Sequence, residues 1–388
     1  MTRKGKKLAV FMGYLGKLPY AGLSFHNIHY IAGLQELGYD VHYVESVNYP
    51  EEYYDPSTDE MTSDASYAID YLADLLPRYG VPPGQFTFVD FEKRCHGSDW
   101  RTLREVLNRA DFVLSLAIPS WFDELERCPR RAFVDGDPVF TQIEMAEGGP
   151  IASVLQHYDI LFTYGVRIGM PDCPIPTVNR TWIPTRTVTA TRLWDVAPLQ
   201  ADGLPITTVM HWAAGSDVTL NGRVYGHKNR EFERFKGLPK LARQPFVLAV
   251  GLDEGPRKQL RSLGWQLVPP LSVSGAIEDY RKFIAGSRAD FGIAKHAYVA
   301  SNCGWFSDRS TCYLASGRPV LHQETGFSEW LPTGEGVLKF SDVSEVLECL
   351  RCLNMDYDRH AQAARRIAEE YFEAATVLRH MLSEADFS

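Results

Sequence analysis

Ser301-Asn302-Cys303-Gly304-Trp305-Phe306-Ser307-Asp308-Arg309-Ser310-Thr311-Cys312-Tyr313-Leu314-Ala315-Ser316-Gly317-Arg318-Pro319-Val320-Leu321 reads as a loop, a short helix and a strand. Gly304 lets the backbone turn without a side-chain clash. Asp308 or Ser310 is placed to cap the helix that follows. Gly317 stands where that helix stops, and Pro319 cannot continue it. Val320-Leu321-His322 then resumes as a buried strand. The pattern has two readings. One is an ordinary capped helix of an α/β protein. The other is an anion site, in which free N–H groups at a helix start, Arg309 and the hydroxyls of Ser310 and Thr311 converge on one ligand.

On either side the same alternation recurs. Before the stretch lie apolar runs at Thr207–Trp212, Phe246–Gly251, Trp265–Val268 and Asp290–Ala294, with a helix over Ala276–Ala285. After it, Ser344–Leu353 and Asp358–Ala385 read as helices. The N-terminal half shows strands at Leu8–Met12, Val41–Glu45, Phe86–Val89, Phe112–Leu116, Ala132–Asp135 and Ile160–Tyr164. Helices read over Asn27–Leu37, Ala65–Tyr79 and Thr102–Arg109. Strands alternating with helices imply parallel sheets covered on both faces. Pro171, Pro174, Pro176, Pro184 and Pro198 punctuate the segment from Pro171 to Asp202, the natural connection between two α/β domains. The acidic, Tyr-rich segment Asn48–Asp64 has few apolar anchors and reads as an excursion on the surface or over a cleft.

The chain has 388 residues, room for two domains, and a soluble composition of 45% hydrophobic and 23% charged residues. Its formal net charge of -9 lacks the basic footprint of a duplex-binding protein. The basic start Met1–Lys7 is followed by an apolar run, Leu8–Met12, too short for a signal sequence. No apolar stretch approaches the ~20 residues of a membrane span. Seven scattered cysteines fit reduced thiols, and a cytoplasmic location is expected. Cys349-Leu350-Arg351-Cys352 has redox or metal spacing without a second ligand pair, and is read as structural.

Parallel sheets bind ligands at the carboxyl ends of their strands, so two such domains facing each other make a cleft. Gly304–Ser310 and Ala315–Leu321, with Gln323–Phe327, Asp135–Pro138, Phe162–Gly165 and Trp182–Arg186, resemble the signatures of bacterial GT-B glycosyltransferases. The resemblance implies two Rossmann-like domains across a cleft and a C-terminal helix crossing back. Residues 1–198 would bind the acceptor, 199–360 the nucleotide-sugar, and 361–388 would pack on the first domain. The activity implied is metal-independent transfer from a nucleoside-diphosphate sugar, UDP foremost, to a small molecule or peptide, with no cofactor. A nucleotide-sugar epimerase and an inactive nucleotide-sugar-binding protein share this frame. Glucosylation of DNA bases is the remaining alternative, opposed by the acidic charge. Many retaining relatives carry two glutamates separated by seven residues, and Gly304 and Cys312 occupy those positions here.

Within this frame each candidate has a role and a plainer alternative. Arg309, Ser310 and Thr311 suit the diphosphate, with Lys295 and Lys228 as further cations or solvated strand ends. His26 suits proton abstraction from the acceptor, or merely bonds at a helix start. Asp137 is the second candidate base, or a cap. Asp135-Gly136-Asp137 has metal-like spacing but stands in the acceptor domain, so no metal is assigned. Trp265, Val268, Pro269 and Trp212 suit the nucleobase and ribose, the tryptophans alternatively being core. Gly13, Gly16, Asp308 and Gln323 are the candidates for acceptor or sugar contacts.

Overall fold

The computed structural model describes residues 7–213 and 215–387. The basic start of the sequence, at residues 1–6, lies outside the described residues. In chain order the N-terminal half supplies β1 (Lys7–Met12), β2 (Tyr39–Ser46), β3 (Tyr53–Asp55), β4 (Glu60–Thr62), β5 (Phe86–Val89), β6 (Cys95–Gly97), β7 (Phe112–Leu116), β8 (Arg131–Asp135), β9 (Ile160–Thr163) and β10 (Trp182–Pro184). Eight of them form one sheet in the order β10-β9-β8-β7-β1-β2-β5-β6, parallel except where β6 returns antiparallel to β5. β3 and β4 pair separately as a hairpin.

The C-terminal half supplies β11 (Ile206–Val209), β12 (Val218–Leu220), β13 (Arg223–Tyr225), β14 (Phe246–Ala249), β15 (Gln266–Val268), β16 (Ala289–Gly292), β17 (Val320–Gln323) and β18 (Val337–Phe340). Six of these make a wholly parallel sheet, β15-β14-β11-β16-β17-β18, and β12 and β13 form a hairpin. The strands read from apolar runs are thus present, with ends shifted by a few residues, because a strand covered on both faces must be apolar throughout. Strand order reverses at β1 in one sheet and at β11 in the other. The loops after these strands therefore open at the places where such sheets admit ligands.

Two local expectations change. The helix Asp308–Ala315 is capped at Ser307, without a side-chain cap bond, so neither Asp308 nor Ser310 caps it. Asp308 is its first residue, and the Ser310 hydroxyl is spent on Asp290 at 2.6 Å. The C-terminal segment is not one helix. It runs as Tyr357–Ile367, a π turn at Ala368–Phe372, and Ala374–Glu384. The break exists because Glu373 turns extended, which lets Thr189 donate to Phe372 O at 2.8 Å and accept from Ala374 N at 3.0 Å. The proline-rich connection is also less free than its composition implies: β10 lies within it, and Trp194 donates to His29 Nε2 at 2.9 Å.

After the break the last helix lies on the first domain, against helix Ala21–Glu36. Gly33 makes the close approach: a Cβ there would stand 2.6 Å from Leu378 Cδ1 and 2.8 Å from Ala374 Cβ. Phe387 completes the return by stacking on Phe112 at 5.5 Å. Gly33→Val should therefore lower the unfolding free energy by about 1–3 kcal/mol through overpacking, read as a lower denaturant midpoint.

Candidate active site between the two domains

The loops after β1, β7, β8, β11, β14, β15 and β16 surround a cleft of about 830 Å³. Its first-domain wall includes Tyr14, Tyr20, His26, Tyr54, Asp137 and Tyr164, and its second-domain wall includes Trp212, Lys228, Val268, Lys295, Asp308 and Arg309. The topology thus brings His26, Asp137, Arg309, Lys295, Lys228, Val268, Pro269, Trp212 and Asp308 to one cavity. It does not bring the others. Ser310 and Thr311 are fully buried, Ser310 bonded to Asp290 and Thr311 to Asp308 O and to the Thr189 hydroxyl. Trp265 is core, tilted against Phe232 and edge-on to Phe246, with its indole N–H on Lys236 O at 2.8 Å. Gln323 is buried between Glu231 and the Ala294 amide.

Gly13 and Gly16 are small for packing rather than for a ligand. A Cβ on Gly13 would meet Asn27 Oδ1 at 2.2 Å, and one on Gly16 would meet Ala68 Cβ at 3.1 Å. Their loop is held from behind by buried Glu45, which accepts from Gly16 N at 2.9 Å and Lys17 N at 2.7 Å. Gly304 has φ +83, and a Cβ there would meet Arg167 Cγ at 2.9 Å. A glutamate cannot stand at that position because Arg167 of the first domain fills it, bonding Cys303 O through its amide and Asn302 O through Nε. Cys312 is equally enclosed. One turn earlier on the same helix face, Asp308 lines the cleft, and its carboxylate accepts no hydrogen bond from the described residues.

The cations differ in how they are held. Arg309 makes a two-pronged pair with Asp290 of β16, Nε to Oδ1 at 3.0 Å and Nη2 to Oδ2 at 3.1 Å, and donates to Val209 O at 3.2 Å. Burial alone would lower its guanidinium, but Asp290 holds it above its ordinary value. Lys295 bonds both Asp137 oxygens, at 2.8 and 2.7 Å, and so links the domains. The Tyr298 hydroxyl donates to the same carboxylate. Lys228 has no hydrogen-bond or ion-pair partner among the described residues. Burial first, then the positive charges of Arg309 and Lys295, lower its amine to about 7. Asp308 and Asp290 oppose this shift without bonding the amine, so Lys228 is a cation with no direct partner among the described residues of the cleft.

His26 is enclosed by tyrosines. Its Nδ1 lies 2.6 Å from the Tyr14 hydroxyl and its Nε2 2.8 Å from that of Tyr164, which continues to Tyr30 at 2.8 Å. Burial pushes the imidazole below its ordinary value, against the opposing charge of Asp308. Its closed surroundings account for that shift. Asp137, by contrast, projects a half-exposed carboxylate into the cleft. Asp135 turns inward to Thr141, Gln142 and Thr163, so the two aspartates do not converge; burial raises Asp135 to about 6. The wall residues Tyr14, Tyr20, Tyr54, Tyr280 and His211 were not singled out from sequence. Only Tyr54 among them lies in the Tyr-rich segment Asn48–Asp64, which forms hairpin β3–β4 over the cleft.

Residues 245–383 match the family model described as glycosyl transferase-like. No curated protein matches the sequence. Among solved structures, an alpha-glucosyltransferase in complex with UDP superposes with TM-score 0.58 at 9% identity, over 98% of this chain and 100% of that one. Anabaena HepE in complex with UDP-glucose gives 0.57 at 10% identity, over 98% and 99%. A glycosyltransferase from Rickettsia africae gives 0.53 at 10%, over 98% of both. The whole chain thus has the GT-B fold of these structures, and its residues 245–383 are glycosyl transferase-like.

Arg309 and Lys228 should part in a stability measurement. Arg309→Met strands the buried Asp290 carboxylate and should cost about 3–5 kcal/mol. The amine of Lys228 is lowered on folding, so its charge opposes folding at neutral pH and its contribution improves as pH rises through 7. Lys228→Met should accordingly match or exceed the parent midpoint in denaturant at pH 7.

Proposed function

We propose that this protein transfers a sugar from a nucleoside-diphosphate sugar, UDP foremost, to an acceptor held by the first domain, with protein cations in place of a metal ion. The observation that carries the reading is Lys228: an unpaired cation in the cleft, beside Arg309 and the start of helix Asp308–Ala315. A diphosphate supplies the missing anion, and the free N–H groups at the helix start add donors to it. The solved relatives with UDP or UDP-glucose bound share this fold. The ends of β14 and β15, with Val268 and Pro269, offer the apolar edge for the base. Asp308 is placed to accept hydroxyls of the sugar or ribose, the work done elsewhere by the glutamates that Gly304 and Cys312 replace.

In the transfer, an acceptor oxygen bonds to the anomeric carbon while the bond from that carbon to the diphosphate breaks. The diphosphate leaves with the electron pair, and Lys228 and the helix start stabilise its charge. The acceptor proton goes to a base. Geometry favours Asp137 over His26, since both imidazole nitrogens already face tyrosine hydroxyls whereas Asp137 opens into the cleft. Lys295, which holds Asp137, has the diphosphate as a second partner once the donor is bound.

UDP affinity, measured by calorimetry, should fall as pH rises from 7 to 9. Lys228 must gain a proton to meet the anion once the pH exceeds its value of about 7. Lys228→Met should bind weakly at all pH values and lose this slope. A flat profile in the parent protein places the diphosphate elsewhere. Asp137→Asn should lower the turnover of sugar transfer about 10²–10³-fold while leaving UDP affinity equal or tighter. Conversion of the donor to an isomeric nucleotide-sugar without any acceptor would instead mark an epimerase.

A further inference from the structure

The cations of the cleft all stand on one domain, together with the Asp308 carboxylate. Among the described residues, the first-domain wall carries two formal charges, Asp59 and Asp137, both carboxylates. Lys228, Arg257, Arg261, Lys295 and Arg309 all stand on the opposite wall. Lys17, the nearest basic residue of the first domain's glycine-containing loop, is withdrawn: its amine is buried on Glu52 at 2.9 Å.

The rest of the first-domain wall is apolar or aromatic. Leu18, Leu23, Ala117 and Ile118 line it beside Tyr20 and Tyr54. Hairpin β3–β4 roofs this half. Tyr54 N donates to Lys17 O at 2.9 Å, and the Tyr54 ring stacks on Tyr20 at 4.7 Å. Tyr20 in turn meets His211 of the second domain edge-on at 5.7 Å. The polar atoms of the wall are largely paired among themselves: Tyr14 and Tyr164 with His26, and Tyr54 with Asp59 at 2.5 Å. A polyhydroxylated acceptor would find few open partners there, and an anionic one would face only carboxylates.

Size points the same way. A cavity of about 830 Å³ lies within the roughly 300–1,000 Å³ of small-molecule sites and must admit both substrates. A duplex, with one negative charge per about 1.7 Å, needs basic residues where it lies. The alpha-glucosyltransferase solved with UDP and a 13-mer DNA shares the fold at 9% identity. The acceptor wall here has no cation among the described residues to receive such a ligand.

Resting on the glycosyltransferase reading, we propose that the acceptor is a small molecule with an apolar or aromatic body, uncharged or bearing an amine, and that anionic molecules and nucleic acid are rejected. The amine of a cationic acceptor has Asp59 as its partner at the mouth of the cleft, and the apolar body lies against Leu18, Tyr20, Leu23 and Ile118.

The test uses the UDP-loaded protein and three phenols of one shape: 4-ethylphenol, tyramine and 4-hydroxyphenylacetate. Binding is read by saturation-transfer NMR, and product formation from UDP-glucose by mass spectrometry. The neutral and cationic members should bind about tenfold more tightly than the anion, the one that meets carboxylates on this wall. Ile118→Lys should narrow that gap by raising affinity for the anion, and Tyr20→Ala should weaken all three while UDP affinity stays unchanged. Equal binding of the anion, glucosylation of a duplex oligonucleotide, or unchanged phenol binding in Tyr20→Ala overturns the proposal. If UDP binds normally and the phenol order fails, only the acceptor assignment falls. If UDP itself does not bind, the transferase reading falls with it.

Discussion

The buried pair between Asp290 and Arg309 is the constraint around which the cleft floor is built. Asp290 is fully enclosed in the middle of a parallel sheet, where an unpartnered carboxylate would be costly. Arg309 answers it with both prongs of its guanidinium, and the Ser310 hydroxyl adds a third bond. The pair fixes the first turn of helix Asp308–Ala315 against β16, so that Ser307 and Asp308 reach the cleft while Ser310 and Thr311 turn inward. The same pairing removes Arg309 from the set of freely available cations. Its remaining positive potential is felt by Lys228, whose amine is correspondingly lowered.

The two domains are joined by contacts of different kinds at the two ends of the interface. Toward the cleft, Asp137 of the first domain meets Lys295 and Tyr298 of the second, and Phe140 stacks on His227 at 5.0 Å. Below it, Arg167 reaches across to the backbone of Asn302 and Cys303, in the space that glycine at 304 leaves open. The charged contact lies where a charged ligand can compete for it. The Arg167 contact combines two backbone carbonyls with an ion pair to Glu329, away from the cleft lining.

Most of the architecture was legible because parallel strands buried on both faces read as unbroken apolar runs, and Phe86–Val89 and Phe112–Leu116 needed no tertiary information to be found. The cleft followed from where such strands end. What was not legible depends on partners distant in sequence. Asp290 stood in a strand that had to be buried, which signals a partner without naming Arg309. Trp212 follows the carboxyl end of β11 and lines the cleft, whereas Trp265 precedes the amino end of β15, at the opposite end of the parallel strands, and packs against Phe246 and Phe232. Gly13 and Gly16 suggested room for a ligand, whereas Asn27, Tyr43 and Ala68 occupy that room. The break at Glu373 has no helix-breaking residue to announce it, since its cause is Thr189 in the interdomain segment.

The acidic net charge and the cationic half of the cleft are two sides of one arrangement. A chain at -9 presents most anions with an unfavourable mean field, so an anionic donor needs cations concentrated where it lands. Lys228 and Lys295 supply that concentration on the second domain, and the first domain supplies none within the cleft among its described residues. The two walls therefore differ in net charge, positive on the second domain in spite of Asp308 and negative on the first. A nucleotide-sugar lying the wrong way round would set its diphosphate against Asp59 and Asp137, and a carboxylated or phosphorylated acceptor would be opposed there and drawn instead to the donor's cations. Under the proposed transfer, this asymmetry orients both substrates before any specific hydrogen bond forms.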